Sequence, residues 1–241
     1  VDAFAAGLLA MGLEPGDRIG IWSPNNSEWV ITQFATAKAG LILVNINPAY
    51  RISELEYALN KVSCRALITA ASFKTSDYIA MLKEIAPEID DCEPGSLKSK
   101  RLPHLETLIQ IGGDTATGFY AFDDIAAMAG QSERDKLGQM AGDLQFDDPI
   151  NIQFTSGTTG FPKGATLTHF NILNNGFFVG EAMKLEESDR LCIPVPLYHC
   201  FGMVLGNLAC ITHGSAIIYP DEAFEPLSVL ETVQAEKCTG L

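Results

Sequence analysis

The residues best suited to chemistry lie in one run, Phe154-Thr155-Ser156-Gly157-Thr158-Thr159-Gly160-Phe161-Pro162-Lys163-Gly164, which holds four hydroxyl side chains, three glycines and one lysine. Glycines let a backbone approach an anion closely, N–H groups and hydroxyls donate hydrogen bonds, and Lys163 adds a positive charge. The chemistry implied is phosphate binding. A Walker A loop is the obvious competitor, and it requires Gly, four residues, then Gly-Lys-Ser/Thr running into a helix. Here Gly157 has no Gly-Lys at that spacing, Lys163 is followed by Gly164, and Pro162 has no N–H to donate. An ordinary P-loop nucleotidase is therefore excluded. What remains is another kind of phosphate loop or a Gly/Thr-rich surface turn. Residues 155–160 are all Gly, Ser or Thr, with no apolar anchor, so the run is expected to be mobile.

A second group is Leu197-Tyr198-His199-Cys200-Phe201-Gly202, delivered at the carboxyl end of the extended run Leu191-Cys192-Ile193-Pro194-Val195-Pro196. Ligands of α/β sheets bind at the carboxyl ends of strands, where a Tyr-His pair suits substrate orientation. A packed aromatic cluster around a satisfied histidine fits the same position equally well. The other histidines read as structural: His104 in a loop, His169 in the first turn of a helix, and His213 near a helix end before Gly214, where a cation suits the dipole.

These residues need elements to hold them. Residues 150–154 alternate as a strand, 165–167 form a short apolar step, and Thr168 is placed to cap a helix over 169–183. Upstream, a helix over 1–11 closes at Gly12 and a strand spans 18–22. Ser27 caps a helix over 28–39 with Gly40 as its C′ residue, and a strand covers 41–44. Ser53-Glu54-Leu55-Glu56 reads as a capping box opening a helix to Val62, before a strand over 65–69. This βαβαβ alternation predicts parallel strands with right-handed crossovers. Thr75 or Ser76 then caps a helix to Ala86, 87–103 is irregular, 105–111 is a strand, and 122–128 and 132–140 are short helices. Downstream come an apolar helix over 203–211, a strand over 216–219, a helix from Glu225-Pro226 to Glu236, and the opening of a further parallel strand at 239–241. Because residues 1–4 are already in helical pattern without an initiator Met, both ends read as cuts, and a targeting segment could lie outside them.

The chain has 241 residues, 47% of them hydrophobic, which is enough for a sizeable core. A net charge of −14 argues against nucleic acid or an anionic membrane as partner, since both require basic surfaces. No run approaches the roughly 18 apolar residues of a membrane span. The six cysteines form no C-x-x-C pair and read as free thiols of a reducing compartment, neither disulfides nor a zinc site.

The run 154–164 resembles the signature loop of the adenylate-forming superfamily, which includes acyl-CoA synthetases, luciferases and the adenylation domains of peptide synthetases. The family form, aromatic-Thr-Ser-Gly-Ser/Thr-Thr-Gly-x-Pro-Lys-Gly, is matched at every fixed position. Lys38-Ala39-Gly40 ahead of a strand and an Asn-Pro adds to the likeness, as does Pro196-Leu197-Tyr198-His199. Asn45-Ile46-Asn47-Pro48-Ala49-Tyr50-Arg51 and Gly164-Ala165-Thr166-Leu167-Thr168-His169 are most similar to mitochondrial and bacterial fatty-acyl-CoA synthetases.

The resemblance implies an α/β fold, part of the layered large N-terminal domain, with mostly parallel sheets flanked by helices. Residues 1–145 would form its first portion, and 146–241 the portion with the signature loop and acyl pocket. It implies ATP, Mg²⁺ and coenzyme A as cosubstrates, with the small molecules fatty acid, ATP and coenzyme A as partners and no nucleic acid. Thr155, Ser156, Gly157, Thr158, Thr159, Gly160, Phe161, Pro162 and Lys163 would hold the ATP phosphates. His199 and Phe201, with Tyr198 and Gly202, would wall the acyl-adenylate pocket. The reaction implied is ATP-dependent joining of a fatty acid, of medium chain length, to coenzyme A. The family's later elements do not occur in these residues: a Tyr-Gly-x-Thr-Glu motif serving Mg²⁺, a ribose-binding aspartate, and a small C-terminal domain with a catalytic lysine. The chain by itself is expected not to complete the reaction and to leave a sheet edge and some core exposed. No metal ligand is assigned within it. A luciferase-like enzyme, an amino-acid adenylation domain and a non-catalytic nucleotide- or acyl-binding module are the alternatives. The compartment implied is cytoplasmic for a bacterial protein and the mitochondrial matrix for a eukaryotic one.

Overall fold

In the computed structural model of the protein, residues 1–155 and 162–241 are described. The first half alternates α1 (Asp2–Ala10), β1 (Arg18–Trp22), α2 (Ser27–Lys38), β2 (Ile42–Asn45), α3 (Ile52–Lys61) and β3 (Ala66–Ala70). A small hairpin, β4 (Ser72–Phe73) and β5 (Ser76–Asp77), leads to α4 (Tyr78–Ile85) and a 3₁₀ turn over Pro87–Asp91. Then follow β6 (Thr107–Ile111), β7 (Tyr120–Ala121), α5 (Phe122–Ile125) and α6 (Gln131–Asp143). The second part runs β8 (Pro149–Thr155), β9 (Lys163–Thr168), α7 (His169–Met183), β10 (Arg190–Cys192), a π-helix over Phe201–Leu208, α8 (Ala209–His213), β11 (Ala216–Ile218) and α9 (Pro226–Glu236).

Seven strands join in the order β7-β6-β3-β1-β2-β8-β9. All neighbours are parallel except β8 and β9, which pair antiparallel with Thr155 opposite Lys163. β9 was not legible as a strand. Its Lys-Gly-Ala-Thr-Leu-Thr sequence is short of apolar residues because it lies at the sheet edge, where residues 163–168 are exposed or half-buried.

The strands are buried on both faces, as a parallel sheet flanked by helices requires. Ile19, Ile21, Leu43, Ile68 and Ile109 enter one core with Leu8 of α1 and Trp29 and Ala35 of α2. Their neighbours Val44, Leu67 and Leu108, with Ile152, enter the other with Leu55 and Leu59 of α3 and Leu82 and Ile85 of α4. Leu191, Ile193, Leu197 and Cys210 join the first core, so β10 and the segment after it rest on the α1–α2 side. β10 and β11 pair parallel, and a bridge from Leu191 to Gly240 adds the beginning of a third strand, as the sequence predicts.

Helix starts differ from expectation by a residue or two, for one reason. Trp29, Leu55 and Tyr78 are wholly buried, and their burial fixes the rotation of each helix. The cap is then whichever oxygen lands in range. Asn26, not Ser27, caps α2, its Oδ1 accepting from the Trp29 N–H at 2.8 Å. Glu54 reaches back to the Arg51 N–H at 3.2 Å and opens α3 at Ile52, while Glu56 turns to Arg101. Asp77 caps α4 through the Ala80 N–H at 2.9 Å. The strand expected over 191–196 is regular only as far as Cys192, where Pro194 and Pro196 interrupt the ladder.

Candidate active site

The parallel strands present their carboxyl ends to one side of the sheet, and Thr155, Lys163 and Tyr198 stand near the end of β8 there. β8 ends at Thr155 and β9 begins at Lys163, so the two feet of the signature run stand side by side. The Thr155 Oγ1 donates to the Lys163 carbonyl at 3.4 Å. Thr155 and Lys163 are exposed and Pro162 is half-buried. The remaining phosphate-loop residues, Ser156, Gly157, Thr158, Thr159, Gly160 and Phe161, lie outside the described residues.

β8 is tied directly to the second group and, through β2, to the π-helix that follows it. Gln153 Nε2 donates to the Tyr198 carbonyl at 3.1 Å. Deeper in the sheet, Asn151 Nδ2 donates to the Leu43 carbonyl at 3.2 Å and lies 3.4 Å from Asn45 Oδ1, and Asn45 Nδ2 meets Met203 Sδ at 3.3 Å. Asn45, Asn151 and Met203 are all buried, so this chain of amides locks β2, β8 and the π-helix together. On its other side the segment is held by Asn25. Its Nδ2 donates to the Val195 carbonyl at 2.9 Å and its Oδ1 accepts from the Leu197 N–H at 2.8 Å. A side-chain amide thus completes the backbone pairing that the prolines interrupt.

Within the segment, the Phe201 N–H donates to His199 Nδ1 at 3.1 Å, and the Gly202 and Met203 N–H groups both donate to the His199 carbonyl at 3.1 Å. Because Nδ1 accepts, the proton of a neutral His199 ring sits on Nε2, which is left free to donate. Gly202 is required by contact: a Cβ there would stand 2.5 Å from the Pro196 carbonyl oxygen. This tight turn opens the π-helix, so the apolar helix expected over 203–211 starts two residues early and only its last turns, in α8, are α-helical. π-helical turns are rare and recur at functional sites.

Tyr198 and Phe201 line different cavities. Tyr198, with Pro24, Asn47, Pro48, Phe73 and Phe224, walls one of about 270 Å³ beyond the ends of β1 and β2. Phe201, 53% exposed, walls an apolar one of about 260 Å³ with Met183, Ile193, Val195, Leu205 and Leu241. His199 is exposed. Among the described residues no group of three or more His, Cys, Asp or Glu side chains could hold a metal ion, and no helix is long and apolar enough to cross a membrane.

Pattern reading missed the polar residues that do the holding. Asn25 lies in the link between the strand over 18–22 and the helix that follows it. Tyr57 lies on α3 beside the buried Leu55, Ala58 and Leu59, and its hydroxyl donates to the Pro162 carbonyl at 3.1 Å. Tyr50 is half-buried nearby, and burial pushes its hydroxyl above the ordinary range, helped by the Glu54 carboxylate and by Tyr198 and Tyr57. The one available signal was an aromatic with a polar tip at the margin of an apolar helix stripe.

The family described as AMP-binding enzyme matches residues 1–241. The chain belongs to that family. It is 46% identical to a medium-chain acyl-CoA ligase, ACSF2, mitochondrial, of Danio rerio, over 99% of this chain and 40% of the relative. It is 47% identical to YngI of Bacillus subtilis (strain 168), a candidate acyl-CoA synthetase, over 98% of this chain and 43% of that one. Among solved structures, the anthranilate CoA ligase AuaEII in complex with anthranoyl-AMP superposes with a TM-score of 0.79 at 25% identity, covering 99% of this chain and 42% of that one. The chain thus spans about two-fifths of the length of the curated relatives it matches. The α/β fold with a mostly parallel sheet is the one expected of the large N-terminal domain of such enzymes.

Proposed function

We propose that the protein carrying this chain is an ATP-dependent fatty acid–coenzyme A ligase acting on acids of medium chain length. A carboxylate attacks the α-phosphorus of ATP, pyrophosphate leaves, and the thiol of coenzyme A then displaces AMP from the acyl-adenylate. Both steps depend on positioning and charge neutralisation more than on covalent help. Residues 155–163 hold the β- and γ-phosphates of MgATP, with Lys163 as the fixed cation, and Mg²⁺ arrives with the nucleotide. Tyr198, His199, Phe201 and Gly202 form the side where the acid lies. The His199 Nε2–H is the donor available to an acyl oxygen, and the cavity behind Phe201 is apolar enough for a hydrocarbon tail. The compartment is the mitochondrial matrix or a bacterial cytoplasm, according to the source.

The observation that carries this reading is the Gln153–Tyr198 hydrogen bond, which joins the strand feeding the phosphate run to the Tyr-His segment. An acid and an ATP held by those two segments meet within reach of each other. The test is ATP–pyrophosphate exchange on the full-length protein with a panel of straight-chain acids, octanoate included, beside Lys163→Ala. Acid-dependent exchange that weakens at least ten-fold in the variant is expected. ATP binding with no exchange for any acid would refute the ligase reading and leave a binding module.

A further inference from the structure

β9 carries Lys163 and lies at the end of the sheet order, so β8 is its only strand partner among the described residues. Its far end is held by Leu167, which packs on the cluster of Ile150, Ile172 and Met203; at the Lys163 end it meets α3. Tyr57 meets Pro162 through the 3.1 Å hydrogen bond, and Val62, just past the helix end, stands 3.7 Å from where a Gly164 Cβ would lie. α3 is a firm support. Leu55, Ala58 and Leu59 anchor it in the core, and Arg18 binds the Val62 and Ser63 carbonyls at its end at 2.8 and 3.1 Å.

We propose that Tyr57 is a positioning residue for the nucleotide site: by donating to the Pro162 carbonyl, its hydroxyl fixes the backbone from which Lys163 departs, and so sets where the lysine ammonium meets the polyphosphate. The inference rests on the phosphate-binding reading of residues 155–163. Tyr50, half-buried, lies within electrostatic range of both Tyr57 and Tyr198.

Tyr57→Phe removes one oxygen and keeps the ring. In pyrophosphate exchange by the full-length protein, KM for MgATP rises about five-fold, the equivalent of one net hydrogen bond. KM for octanoate and kcat stay within about two-fold, and the melting temperature moves by no more than about 2 °C, the shift of a minor stability change. An unchanged KM for MgATP overturns the proposal. So does a parallel loss for both substrates with a large drop in melting temperature, which marks a structural role only. Lys163→Ala separates the two readings: loss in that variant with no effect of Tyr57→Phe leaves the phosphate reading standing and removes this one. Should the wild type show no acid-dependent exchange, equilibrium dialysis with MgATP decides. Five-fold weaker binding by Tyr57→Phe supports the role of Tyr57, and equal binding, or none by the wild type, overturns it.

Discussion

Asn25→Ala is the sharpest test of how the candidate site is held. The Asn25 amide is 6% exposed, and it joins two backbone groups of the Tyr-His segment, the Val195 carbonyl and the Leu197 N–H. Truncation leaves both without their protein partner. Leu197 is wholly buried, so its N–H loses a bond that water cannot replace, whereas the half-buried Val195 carbonyl recovers part of its solvation. An unpaired buried group costs about 1–3 kcal/mol, which places the variant about 2–3 kcal/mol below wild type. With a urea m-value of about 2 kcal/mol/M, the midpoint falls by about 1 M. Trp22 and Trp29, both buried, report the transition by fluorescence. The decisive readout is hydrogen exchange at the Leu197 amide, which loses protection in Asn25→Ala and keeps it in Asn25→Asp, where an acceptor oxygen remains. If the proposed ligase function holds, KM for the acid in the full-length protein rises as Tyr198 and His199 loosen. A stability change below about 0.5 kcal/mol, the scatter of ordinary surface substitutions, together with a still-protected Leu197 amide, would refute the clamp.

Two further outcomes follow from buried titratable groups. Burial holds the His169 imidazole below its ordinary value, outweighing the opposing pull of Asp148. The unfolded chain therefore binds more protons than the native one between the lowered native value and about 6.5. The stability is present in full above about 6.5 and declines as pH falls through that window, levelling below the native value. Urea titrations of wild type and His169→Gln between pH 7.5 and 5 show it as a shallower decline in the variant, and parallel curves would contradict it. Burial also pushes the Cys64 thiol up to about 12, so at pH 8 it stays protonated and inert while the exposed Cys200 alkylates. Iodoacetamide labelling read by mass spectrometry marks Cys200 within minutes and Cys64 only in denaturant. Early Cys64 labelling would mean that α3 and β3 open far more readily than their burial implies.

How much of this was legible depends on what kind of signal each element leaves. β1 over Arg18–Trp22, α7 over His169–Met183 and α9 up to Glu236 fall where they were expected, β1 because a short apolar run lies between turn residues, the helices because each opens at a capping residue, Thr168 and Glu225. The α/β class followed from the alternation of strands and helices. β9, the shortened β10 and the π-helix left no such period: an edge strand buries little, prolines hide where a ladder stops, and a widened helix is made by contacts such as Gly202 against Pro196. The candidate site divides in the same way. Residues 154–164 stand out in the sequence by their density of Gly, Ser and Thr in fixed order, of which only Phe154, Thr155, Pro162, Lys163 and Gly164 lie among the described residues, and Tyr198-His199 stands out because it follows a strand.

The residues that hold these two segments in place were not legible, and the reason is physical. Asn25 and Tyr57 each supply a hydrogen bond to backbone far along the chain, Asn25 to Val195 and Leu197, Tyr57 to Pro162. Hydropathy records how deeply a residue sits, and local propensity records how it treats its neighbours; neither records which distant carbonyl a side chain will meet. Such bonds appear where regular pairing fails, at the proline-broken strand and at the sheet edge. Tyr57 makes its bond at the foot of the signature run, one residue before β9 opens at Lys163.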